Sequence, residues 1–86
     1  MERFAKVFET RERGQIVVFL QGGEEGPEIR FFVKPDGLGV SSVAMQWKSD
    51  DEKSWEQAEN DFESIDADKA IAATNVIFEL ASPLKN

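Results

Sequence analysis

Residues Glu28–Trp47 read E-I-R-F-F-V-K-P-D-G-L-G-V-S-S-V-A-M-Q-W, and this stretch decides the fold. Pro35-Asp36-Gly37 combines a fixed φ, a side chain that bonds back to its own backbone and a residue free to take φ > 0. Ile29, Phe31 and Val33 alternate before this turn, and Val43, Met45 and Trp47 alternate after it. A period of two puts each trio on one face of a strand, so the stretch predicts a β-hairpin.

Working outward on the N-terminal side, Gln15–Gln21 (Q-I-V-V-F-L-Q) is rich in β-branched and aromatic residues and predicts another strand. Gly22-Gly23-Glu24-Glu25-Gly26-Pro27 is a hairpin loop. Phe4–Thr10 alternates weakly and predicts a first strand at an edge, after which Arg11–Gly14 turns. Four strands with short connections imply an antiparallel meander. Its core-facing floor is Ile16, Val18, Leu20, Ile29, Phe31, Val33, Val43, Met45 and Trp47.

On the C-terminal side the period changes at Ser49. Ser49-Asp50-Asp51-Glu52 fits a capping box. Trp55, Ala58, Phe62 and Ile65 then form one apolar stripe at helical spacing. Asp66 predicts the cap of a second helix, from Ala67 to about Ala81, closed by Pro83. Its apolar residues Ile71, Val76, Ile77, Phe78 and Leu80 spread around most of the cylinder, which calls for cover on several sides. The expected fold is therefore α+β: a four-stranded antiparallel β-meander followed by two C-terminal helices packed on one face. The reading assigns residues 1–86 to a single domain, with 1–48 forming the sheet and 49–86 the helices. Trp47, Trp55, Phe31, Phe62, Ile71 and Phe78 should be largely buried.

Composition narrows the chemistry. The chain has 86 residues, 41% hydrophobic, with no His, Cys or Tyr. Nucleophile–histidine arrangements and thiolate or imidazole metal sites are thereby excluded. The glycine-rich loop lacks the lysine and spacing of phosphate-binding motifs. Asp50-Asp51-Glu52 lacks the ligand positions of a calcium loop. No enzyme activity, cofactor or metal is expected. No stretch approaches a membrane span and the N-terminus has no signal-peptide pattern, so the expected location is the cytoplasm. The net charge of −7 sits in the C-terminal part, since residues 49–86 hold three Lys against ten acids while residues 1–48 balance.

Two features invite a functional reading. The sheet face opposite the core should carry Val17, Phe19, Arg30, Phe32 and Lys34, with Lys6 and Phe8 added from the first strand. Rings interleaved with cations suit stacking and phosphate contacts with single-stranded nucleic acid. The acidic balance argues instead for a protein partner, or for a homodimer through Phe19 and Phe32 in which Arg30 and Lys34 meet acids such as Glu9 or Glu28 across the interface. The second feature is the row Glu52, Glu56, Glu59 and Glu63, which lies on one side of the first helix. It is either a docking row for a basic partner or a solvated face carrying like-charge repulsion.

With Q-I-V-V at Gln15–Val18, E-I-R-F-F-V-K-P-D-G-L-G-V at Glu28–Val40 and W-x-x-A-x-x-x-F at Trp55–Phe62 on the page, the chain resembles small proteins encoded by bacteriophages and prophages. The resemblance implies an accessory role in a bacterial or viral cytoplasmic setting, through binding to a host or viral protein. It carries no substrate, cofactor or catalytic residue.

Overall fold

The computed structural model describes residues 4–85, with side chains through Ala81. Strands β1 (Phe4–Thr10), β2 (Gly14–Gly22), β3 (Pro27–Val33) and β4 (Ser41–Gln46) precede helices α1 (Glu52–Glu63) and α2 (Ala67–Lys85). The strands form one antiparallel sheet in the order β1-β2-β3-β4. This is the α+β meander with two following helices that the alternation predicts.

Local chemistry accounts for the turns. Gly37 has φ +80° and Leu38 N–H donates to Pro35 O at 3.1 Å, which closes the β3–β4 turn. Gly14, at φ +70°, ends the β1–β2 turn, where Thr10 Oγ1 donates to Gly14 O and accepts from Arg13 N–H. Such φ values cost a glycine little and any β-carbon more.

The first helix starts two residues later than the capping box predicts. Asp51 is the N-cap, and its Oδ1 accepts from Ser54 N–H at 2.8 Å. That bond holds the Asp51 carboxyl below its usual range. An ionised Asp is a better acceptor for a free helix N–H than a Ser hydroxyl, and it also favours the positive end of the helix. Asp66 caps α2 as expected, accepting from Lys69 N–H. Pro83 does not end α2, which runs on to Lys85. In a last turn the missing proline N–H leaves only one carbonyl without its helical donor.

Ile16, Val18, Leu20, Ile29, Phe31 and Val33 form the buried floor, and Ala58, Phe62 and Ala70 close over it from the helices. Each fully buried aliphatic side chain of this kind contributes about 1.5–3 kcal/mol. The expected core is too wide at β4 and just beyond it, where Val43 and Trp47 are half-buried and Met45 is 48% exposed. Among the described residues α1 and α2 do not pack side by side, and the molecule is elongated, 45 × 22 × 18 Å. α1 lies over β2 and β3 and α2 runs across all four strands, and between them an apolar gap stays open over Val43 and Met45. Trp55, Ile71 and Phe78 are also half-buried, whereas Phe31 and Phe62 are buried. Nor is α2 covered on several sides: Val76 and Leu80 are exposed.

Candidate interaction face on the open side of the sheet

Both helices lie on the face of Val18 and Ile29, so among the described residues the other face carries no helical layer. Pairing register sets its rows: Ala5, Phe19, Arg30 and Ala44; Val7, Val17, Phe32 and Ser42; Gln21, Glu28 and Gln46. Phe19 and Phe32 are diagonal neighbours across β2 and β3. Their rings meet edge to face, with centroids 5.6 Å apart and planes at 82°. This is a favoured aromatic geometry, worth about 0.5–1.5 kcal/mol beyond burial. Both rings and Val17 are half-buried, and Val7 beside them is 57% exposed. Val17, Phe19, Arg30 and Phe32 are thus brought together as the alternation predicts.

Two of the cations, Lys6 and Lys34, are placed otherwise than expected. Lys6 and Phe8 pair with Val18 and Ile16, so they belong to the helix-covered face. Lys6 Nζ donates to the carbonyls of Phe62, Glu63 and Ile65 at 2.8, 3.0 and 3.1 Å, at the C-terminal end of α1. A cation there meets the negative end of the helix. Lys34 is exposed just beyond β3 and lines a hollow of about 420 Å³ with Arg11, Arg13 and Phe78. There Arg13 donates to Asn75 Oδ1 and lies 4.5 Å from the Phe78 ring centroid.

Arg30 remains on the open face but is paired within its own strand. Its Nε donates to Glu28 Oε2 at 2.9 Å, and its two amino groups reach Ser42 Oγ and Glu28 Oε1. Gln21 and Gln46 donate to the same carboxylate at 2.9 and 2.7 Å. The Arg30 hydrogen bond leads in holding the Glu28 carboxyl down at about 2; burial opposes it, and the Gln21 and Gln46 hydrogen bonds act with Arg30. Reciprocally, Glu28 raises the Arg30 guanidinium above its ordinary value. Glu9 likewise accepts from its row neighbour Gln15. Acids supplied across an interface are therefore not needed for Arg30: Glu28, two residues before it on the same strand face, is the partner. The spacing Glu28-x-Arg30 is the signal for this pair in the sequence, since period two makes i and i+2 neighbours.

The acidic row is intact as a surface. Glu52, Glu56, Glu59 and Glu63 are all exposed on α1. Glu59 and Glu63 border a hollow of about 160 Å³ floored by Phe4, Leu20 and Phe62. Among the described residues no three acids gather into a metal-holding group, and no helix is long and apolar enough to cross a membrane. No family model, curated protein or solved structure matches the chain.

Proposed function

We propose that this chain is a non-enzymatic interaction protein that docks a protein partner on the open sheet face, centred on Phe19 and Phe32. The observation that supports this reading is a pair of aromatic rings on a face that no helix covers, beside an arginine already neutralised by Glu28. Apolar surface flanked by a satisfied polar network suits a protein interface, where aromatic anchors carry much of the binding energy. Single-stranded nucleic acid needs free cations along the rings. Lys6 is engaged on the other face, Arg30 is held by a carboxylate and Lys34 lies beyond β3 in the hollow with Arg11 and Arg13, so the electrostatic part of that alternative is weak beside the rings. In this reading the protein is an accessory factor of phage or prophage origin, working in the cytoplasm on a host or viral protein.

The test is a fluorescence-polarisation titration with a single-stranded oligonucleotide at low and moderate salt, run beside affinity capture from the host with wild-type and Phe32→Glu bait. The expected result is no oligonucleotide binding, and a captured protein that is lost with folded Phe32→Glu. Salt-dependent oligonucleotide binding abolished by the same substitution would replace this reading with nucleic-acid binding.

A further inference from the structure

Among the described residues no strand pairs with the outer edge of β4. Trp47 N–H donates to Pro27 O, and in an antiparallel ladder hydrogen-bonded pairs recur at every second residue. Met45 and Val43, opposite Ile29 and Phe31, therefore turn their backbone groups toward β3. Ser42, Ala44 and Gln46 turn theirs outward. Edge strands ordinarily carry a charge, a proline or a bulge that blocks further pairing. β4 reads S-S-V-A-M-Q in unbroken register and has none of these, whereas β1 at the opposite edge carries Lys6 and Glu9. Beside β4 runs an apolar groove of about 380 Å³, lined among others by Val43, Met45, Ile65 and Ala73, with Asp61 and Lys69 also on its wall.

We propose that β4 pairs antiparallel with β4 of a second copy about a two-fold axis normal to the sheet. Such an axis keeps both sets of helices on one side, so residues directly opposite each other must share a face. Setting Ala44 opposite its own counterpart meets that condition and puts Ser42 opposite Gln46. Every outward N–H and C=O from Ser42 to Gln46 then finds a partner. On the helix side, Val43 faces Met45 of the other copy at the closer, non-hydrogen-bonded spacing. Met45 leaves water, and the two grooves close on each other.

An uncharged edge flanked by one acid and one base suits a second copy as the occupant. Copies with a net charge of −7 repel over most of their surface, but β4 brings no charge to meet its like. Asp61 and Lys69, of opposite sign on the same groove, let each copy offer the other both an acid and a base. The contact leaves the Phe19 and Phe32 rings free, so it is independent of the partner face proposed above.

Sedimentation equilibrium of the full chain over a wide concentration range tests this, with amide exchange by NMR on the same samples. The wild type should show a monomer–dimer equilibrium, with the amides of Ser42, Ala44 and Gln46 slowing as concentration rises. Ala44→Pro removes an N–H that does not serve the β3 ladder, a position where edge strands tolerate proline. Losing the pair of bonds at the axis should weaken the dimer by roughly thirtyfold. Met45→Lys, which leaves the backbone unchanged, should weaken it as well, and Phe32→Glu should not. A strict monomer at the highest soluble concentration overturns the proposal. So does a dimer that survives both β4 variants but is lost in Phe32→Glu, which would place self-association on the open face.

Discussion

Replacing Glu28 by Gln should destabilise the domain in a pH-dependent manner, and the structure sets the size. In the fold the Glu28 carboxyl is lowered from 4.5 to about 2, chiefly by the Arg30 hydrogen bond. A drop of that extent corresponds to about 3 kcal/mol of preference for the ionised form. The Glu28 side chain is 8% exposed and that of Arg30 30%, so solvent screens the pair in part and about 3 kcal/mol is an upper figure. The sign follows from linkage. A carboxyl whose pKa is depressed on folding contributes fully above its unfolded value, and the contribution fades as pH falls toward its folded value. The window is therefore pH 4.5 down to about 2. Urea denaturation of wild type and Glu28→Gln at pH 7 should differ by up to about 3 kcal/mol, and the gap should be roughly halved at pH 3. For a domain of this size that upper figure equals roughly 12–24 °C in Tm. A gap under 1 kcal/mol, or one constant between pH 7 and pH 3, would refute the assignment of Glu28 as the ionised centre of the open-face network.

Lys6→Met keeps the aliphatic stem but removes the ammonium from three carbonyls at the end of α1. It should cost about 1–3 kcal/mol by urea denaturation, and an unchanged midpoint would show that water replaces the lysine at no cost. At Gly26 a β-carbon would stand 2.2 Å from Ser49 O, so the segments leading into β3 and α1 would have to separate. Gly26→Ala should cost about 1–3 kcal/mol, read as a lowered Tm, and an unaltered Tm would mean that this close approach is loose in solution. Glu56→Lys with Glu59→Lys relieves repulsion along an exposed row and should raise stability by about 0.2–0.5 kcal/mol per pair. Loss of partner capture in this folded variant would make the acidic row, rather than the sheet, the docking surface.

β3 and β4 were legible from alternation and β2 from its β-branched and aromatic run, each with turn chemistry at its ends, and period two then places Phe19, Phe32 and Arg30 on one face without further information. Reading β1 was harder. F-A-K-V-F-E-T offers apolar residues at both parities, so the pattern fits either face, and only pairing of Lys6 with Val18 decides it. The lysine then finds its acceptors fifty-six or more residues away, a contact no local signal announces. Met45 has the correct parity for the core and is nonetheless half-exposed, because coverage depends on where the helices cross the sheet. The Glu28 cluster combines both situations. Glu28 and Arg30 are readable as neighbours on one strand, but Gln21 and Gln46 join them only through the register of β2 and β4.

The proposed role of the open face is tested most directly by site-specific photocrosslinking in the host. A benzophenone amino acid at Val7 sits on that face, one at Glu56 on the acidic row and one at Ala72 on the exposed side of α2. A discrete protein adduct should form from Val7 alone and disappear when Phe32→Glu is added. Adducts from Glu56 but not Val7, or a Val7 adduct with nucleic acid, would contradict the assignment of the open sheet face as a protein-docking surface.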